Sequence, residues 1–281
     1  FYNTFETSID TVANESLAAS VLEGKQIFYN AADERMSFNG YLSCSSCHQD
    51  GGHDGATWDF ADRGEGLRNT SDLRGRGGVE YGNVHWSGNF DEIQDFELDI
   101  VNQFGGEGFI EDGEPNPSLE APNANRSSEL DALAAYVSSL GSESIPNSPH
   151  KDDFGALTPD ALAGKAVFTS LACATCHNPL TDFTDSASGV FHNVGTIKES
   201  SGQRLGENLT GIDTPPLLAL HASAPYFHDG SAATLAEVFD PFGNSDRAGE
   251  IGQVHDLTGI PSQQVTQLIA YLNELDVLEK P

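Results

Sequence analysis

The sequence predicts a mostly α-helical fold of two similar halves in tandem, elaborated by long ordered loops. Three observations predict it. A pentad recurs: residues 24–28 read Gly-Lys-Gln-Ile-Phe and residues 164–168 read Gly-Lys-Ala-Val-Phe. Each pentad is followed by a Cys-x-x-Cys-His, at Cys44–His48 and at Cys173–His177. Each half then closes on Ala-Tyr-x-x-x-Leu, once at Ala135–Leu140 and once at Ala270–Leu275. The same order in both halves marks one plan used twice.

The first pentad lies on helical apolar spacing (Leu17, Val21, Leu22, Ile27, Phe28), and so does the second (Leu162, Val167, Phe168). Thr158-Pro159 reads as the N-cap and first turn of the second of these helices. Closing helices are expected over Ser128–Leu140 and Pro261–Leu275. The polar stretch Gly141–Pro149 reads as a linker, which divides the chain into domains 1–147 and 148–281. A loop-like insertion runs from Glu111 to Asn125. Residues 49–90 are dense in Gly, Asp and Asn with no convincing period. They hold both tryptophans, Trp58 and Trp86, and are read as ordered loop.

The Cys-x-x-Cys-His motifs carry the chemistry. Two thiols three residues apart can each add to a haem vinyl group, and the adjoining His then sits beneath the iron. A redox dithiol or a four-thiolate zinc site are the alternatives. Neither explains why a His follows each pair, or why each pair lies between matched helices. The reading is two covalently bound c-type haems, on Cys44, Cys47 and His48 and on Cys173, Cys176 and His177. All four cysteines of the chain are used in this way. Two helices bracketing such a motif resemble the plan of a small cytochrome c domain. That resemblance implies helices crossing at one haem edge with an aromatic at the crossing. The expected fold is thus two cytochrome c-like haem domains in tandem.

A length of 281 residues suits two modest domains. Hydrophobic residues make up 38% of the chain, a low share to which two porphyrins would add apolar core. No stretch reaches the ~18–20 apolar residues of a membrane span. Phe1 begins the chain without a basic or apolar leader, so export to a periplasmic or extracellular space implies a signal already removed. The formal charge is -30, from 43 acidic and 13 basic side chains, which excludes a nucleic-acid partner needing clustered Lys and Arg. It fits either a salty medium or long-range attraction of a basic protein. Sixteen Phe and seven Tyr are too many for a disordered coil.

The sixth ligand of each iron decides function, because a second strong ligand makes a relay while an open position admits peroxide or oxygen. The single methionine, Met36, precedes Cys44 and is read as packing. Of the histidines outside the motifs, His53, His150, His192, His221 and His228 read as hydrogen-bonded or surface residues. His85 and His255 each follow their motif and precede the closing helix, where a distal loop should run. They are the candidate iron ligands.

Gly211-Ile-Asp-Thr-Pro-Pro-Leu-Leu218 and Ala224-Pro-Tyr-Phe-His-Asp-Gly-Ser-Ala-Ala-Thr-Leu-Ala-Glu-Val238 resemble the di-haem cytochrome c peroxidase/MauG superfamily. Arg68-Asn69-Thr70 and His85-Trp86-Ser87-Gly88 resemble its Asn turn and Trp-x-Gly motif. Trp58-Asp59-Phe60 and Asp91–Glu97 suggest a MauG-like subgroup. The resemblance spans roughly residues 20–276. It implies a calcium ion held by Asn69, Thr214 and Pro216, which is reasonable hard-cation chemistry. It also implies an electron bridge at Trp86 and a distal acid/base carboxylate matched by Glu107. The chain departs from the family in one place: counting back from Asn69 meets Phe60-Ala61-Asp62 and no distal histidine. His85 then takes that place, or the first iron is open. His255 implies a bis-His relay at the second haem. The resemblance implies a peroxidase, reducing hydrogen peroxide with electrons from a small cytochrome c or copper protein, expected to be basic by charge complementarity. A pure electron-transfer protein and MauG-like oxidation of a protein or organic substrate are the alternatives.

Overall fold

The computed structural model describes residues 14–239, 255–257 and 259–277. Phe1 and the last residues, to which the two-domain division extends, lie outside them. The chain is mostly helical, with two cytochrome c-like domains in tandem. In order, the helices are α1 (Ala19–Tyr29), α2 (Cys44–Cys47), α3 (Glu97–Asn102), α4 (Ser128–Ser139), α5 (Pro159–Ser170), α6 (Leu235–Val238) and α7 (Ser262–Glu274). Helix α1 packs on α4, and α5 packs on α7. Two apolar cores result, one drawn from residues 28–140 and the other from 161–275.

The repeated motifs are the two crossings. At Gly24 a Cβ would land on the carbonyl of Ala132 and lie 2.9 Å from the Leu133 nitrogen. At Gly164 it would land on the carbonyl of Gln267 and lie 2.9 Å from Tyr271 Cβ. Only glycine lets the helix backbones come this close. The last residue of each pentad then meets the closing tyrosine edge-on. Phe28 and Tyr136 have ring centres 5.0 Å apart, and Phe168 and Tyr271 5.6 Å. Such edge-to-face pairs are a favoured aromatic geometry.

Local signals set the helix starts. The Thr158 hydroxyl accepts from Ala161 N at 3.3 Å with Pro159 in the first turn, and Ser127 accepts from Leu130 N at 3.2 Å. Buried Glu274, at the end of α7, accepts from the Thr158 backbone and hydroxyl at 2.7 Å each, so one carboxylate ties two helix ends together. The expected linker is anchored rather than free. Ser148 N donates to Asp276, and Lys151 Nζ pairs with Asp276 at 2.6 Å, both side chains fully buried.

The segment 49–90 holds a hairpin that its composition does not announce. Strand β1 (Thr57–Phe60) pairs antiparallel with β2 (Gly66–Asn69), with Trp58 opposite Arg68. Strand β2 locks the domains together. Arg68 Nη1 donates to Ser201 O at 2.9 Å, and Asn69 N donates to His228 O at 2.6 Å. His228 is fully buried, with Nε2 2.7 Å from the Ser201 hydroxyl, a structural role. No described helix is long and apolar enough to cross a membrane.

Candidate functional site

Each Cys-x-x-Cys-His opens onto its own cavity, of about 430 Å³ in the second domain and about 210 Å³ in the first. A water occupies only about 30 Å³, so both cavities suit a large group rather than a single ion. The residues fit haem c. All four thiols are free and half-buried. Burial pushes Cys44 up to about 12 and Cys47 to about 11, whereas a redox dithiol needs a lowered pKa. His48 Nδ1 faces Gly52 O at 3.2 Å, and His177 Nδ1 faces Phe183 O at 2.9 Å. A backbone carbonyl on Nδ1 fixes the tautomer that leaves Nε2 as a metal-binding lone pair.

In the second cavity the wall includes Phe168, Leu268 and Leu272 from the α5–α7 pair. His255 lines it too, with its ring 6.4 Å from that of His177 and inclined by only 29°. Two imidazoles bound to opposite faces of one metal at ~2 Å put their ring centres ~6 Å apart. Burial, reinforced by His177, lowers His255 to about 4 and keeps it neutral. Its Nδ1 has no hydrogen-bond partner among the described residues.

The first cavity differs. Phe28, Met36, Leu133 and Val137 form an apolar side, so Met36 packs within the core, as its sequence position suggests. Another part of the wall carries charge: Arg63, Glu65, Arg68, His85 and Asp99. Arg63 is clasped by Asp99 and by Glu65, the latter at 2.9 Å. Asn89 donates to Glu65 and offers Oδ1 to His85 Nδ1 at 2.8 Å. His85 Nε2 is then the lone-pair nitrogen of the neutral ring, and it lies 3.8 Å from Asp99. Burial lowers the His85 pKa, with Asp99 opposing. The ring is gripped by Phe90 and Phe96, at 4.4 and 4.8 Å. His85 makes no ring contact with His48, so the geometry of His177 with His255 is not repeated here.

Glu107 is not brought to this cavity. Its side chain is exposed, because the chain turns at Gly105-Gly106 and Glu107 N bonds to Glu34 O. The carboxylates in the wall are Glu65 and Asp99. Neither stood out in the sequence, although one signal was there. Four of the 13 basic residues of this acidic chain, Arg63, Arg68, Arg74 and Arg76, fall within 14 positions and all line a cavity.

The two cavities share Asn69, Arg76, Trp86, Asp213 and Pro215. Trp86 Nε1 donates to Asn69 O at 2.8 Å, and Asp213 N donates to the Trp86 backbone carbonyl at 2.8 Å, so the indole is held from its own half and the backbone from the other. Burial lifts the Asp213 carboxyl to about 6, with Arg76 opposing. Arg76 Nε is buried without a hydrogen-bond partner among the described residues, a donor suited to a haem propionate. Of the expected calcium ligands, Asn69, Thr214 and Pro216 all line the second cavity. Asn69 Oδ1 lacks a hydrogen-bond partner among the described residues, while Thr214 O accepts from the Thr184 hydroxyl. Cys176, Asp185 and His192 also cluster, but a thioether on Cys176 leaves no thiolate for an ion.

No family model matches the chain. It is 27% identical over 284 residues to hydrazine synthase subunit gamma of Kuenenia stuttgartiensis, across 86% of this chain and 74% of that protein. It is 28% identical over 272 residues to the methylamine utilization protein MauG of Methylorubrum extorquens, across 82% and 70%. A match to cytochrome c551 peroxidase of Nitrosomonas europaea, 27% identical, covers 44% of this chain and 36% of that one. Among solved structures, Kuenenia stuttgartiensis hydrazine synthase superposes with a TM-score of 0.65 at 24% identity, over 93% and 89% of the chains. The diheme peroxidase BthA of Burkholderia thailandensis gives 0.56 at 17%, over 93% and 86%. These structures share the fold, and the first two relatives match along most of this chain. With one crossing and one cysteine–histidine pocket in each half, and Trp86 between them, the chain is similar to proteins of the di-haem cytochrome c peroxidase/MauG superfamily.

Proposed function

We propose that this di-haem oxidoreductase reduces hydrogen peroxide at the first haem with electrons passed from the second. The observation that carries the reading is the inequality of the two pockets. His255 lies parallel to His177 at the spacing of a two-histidine metal pair. His85 is instead gripped by Phe90, Phe96 and Asn89 within a charged wall. A haem held by two histidines is a relay, and one held by a single histidine leaves a face for substrate.

Haem c would supply the redox iron at both sites, with His48 and His177 below and the four cysteines as thioether anchors. The protein's own groups do the rest. His85 Nε2 is positioned to take a proton from a peroxide oxygen and return it to the departing one. Arg63, fixed by Glu65 and Asp99, offers positive charge to the leaving oxygen. Trp86 carries electrons between the domains. The Asn69 amide oxygen, with Thr214 and Pro216, is the candidate calcium site, supported by the bare Asn69 Oδ1. A periplasmic or extracellular setting and a small basic cytochrome or copper protein as donor accord with the formal charge of -30.

Absorption and EPR spectra of the ferric holoprotein test the reading. One high-spin and one low-spin haem are expected, and peroxide should perturb the high-spin signal. Two low-spin haems that ignore peroxide, before and after half-reduction with calcium present, would leave a pure electron-transfer protein.

A further inference from the structure

The chain has two tryptophans, and both line the first cavity. Trp86 is the inner one, shared with the second cavity. Trp58 is the outer one. It lies on hairpin strand β1, where Thr57 and Asp59 are exposed beside it, and is itself 45% exposed. Its Nε1 donates to Asp54 Oδ2 at 2.9 Å. The Asp54 carboxyl is held below its usual range: burial raises it, but hydrogen bonds from Ala56 N, Thr70 and Trp58 outweigh that. The Trp86 N–H, by contrast, rests on a neutral carbonyl.

We propose that Trp58 is a second electron entrance to the first haem, serving aromatic reductants at the surface that bear a positive charge. The inference rests on the peroxidase reading. An indole that lines the cavity and also meets solvent offers one π-system to both sides. A carboxylate on its N–H stabilises positive charge on the ring. Asp54 bonds the indole, Asp59 is exposed beside it on the strand, and Arg68, its partner across the hairpin, is buried. Cationic aromatic molecules are drawn by both the indole face and these carboxylates.

The electron balance is simple. Hydrogen peroxide takes two electrons and two solvent protons, the O–O bond breaks, and two waters form. Two reductant molecules each lose one electron through Trp58, which is restored each time. The indole proton stays in its hydrogen bond to Asp54.

The test uses the holoprotein with both haems attached and promazine, a cationic phenothiazine, as reductant. Radical sites formed with peroxide are trapped by a nitroso spin trap and mapped by mass spectrometry. The adduct is expected on Trp58. In Trp58→Phe, promazine oxidation should fall about tenfold relative to peroxide reduction by the pre-reduced protein. Asp54→Asn, which keeps the indole, should lower both adduct yield and promazine oxidation. An anionic sulfonated dye should be a poorer reductant than promazine, by a margin that narrows with added salt. An adduct mapped elsewhere, or a Trp58→Phe protein in which both activities fall together or neither falls, overturns the inference while peroxide reduction stands. A wild-type protein whose haem spectrum does not respond to peroxide overturns both readings.

Discussion

Replacing Gly164 by alanine tests the account of the helix crossing that borders the second haem. The new methyl would strike the Gln267 carbonyl, 2.5 Å from its carbon and 2.9 Å from Tyr271 Cβ. Carbon atoms prefer about 3.5–4.0 Å, so α5 and α7 must part by roughly 1 Å. Overpacking costs about 1–3 kcal/mol, and backbone atoms cannot rotate aside, which argues for the top of that range. Alanine returns about 1 kcal/mol through its helix propensity. The net loss is therefore about 2 kcal/mol. At about 2–4 °C per kcal/mol, Tm should drop by about 4–8 °C. Far-UV circular dichroism of the holoprotein measures it, with Soret absorbance reporting on the haem. Gly141→Ala is the control, since nothing lies within 4 Å of that Cβ and its φ is -79°. A Gly164→Ala protein that melts with the control would refute the crossing argument.

Other consequences follow from the same geometry. His255→Ala should convert a low-spin haem to high-spin, while His85→Ala should leave spin states alone; a low-to-high change in the second variant would make His85 a ligand. Asp276→Asn removes the anion that pairs with buried Lys151 at 2.6 Å and accepts from Ser148 N, at a cost of about 1.5–3 kcal/mol in urea unfolding. A loss under about 1 kcal/mol would mean the pair is not desolvated as argued. Burial lifts the Asp95 carboxyl to about 6, from its ordinary 3.8, against the pull of Asn123. The folded state thus holds a proton that the unfolded chain gives up. Asp95 thereby lowers stability progressively as pH rises from about 4 to about 6, and by a constant amount above that. Unfolding midpoints of wild type and Asp95→Asn should diverge across this window; parallel profiles count against it.

What the sequence reveals, it reveals by local repetition. Gly24 and Gly164, Phe28 and Phe168, Tyr136 and Tyr271 stand at matched positions because one crossing is built twice. The thiols and proximal histidines are legible for the same reason. The remaining walls of the pockets come from loops without a period, and there counting along the chain fails. Thirteen residues beyond Trp86, Asp99 faces the first cavity from α3. Eight further on, past a glycine turn, Glu107 points to solvent. His85 and His255 occupy matched positions between motif and closing helix, and the His255 ring lies 6.4 Å from that of His177. His85 sits just before Trp86, in a segment bound to Asp213 of the other domain, and Phe90, Phe96 and Asn89 fix its ring. The His255 ring contacts Phe227, Phe239 and His177, all of its own half. The His85 ring is thus fixed by its own loop, next to the residue that bonds the other half. The difference between the two pockets therefore arises where the duplicated halves touch, at β2 and Trp86.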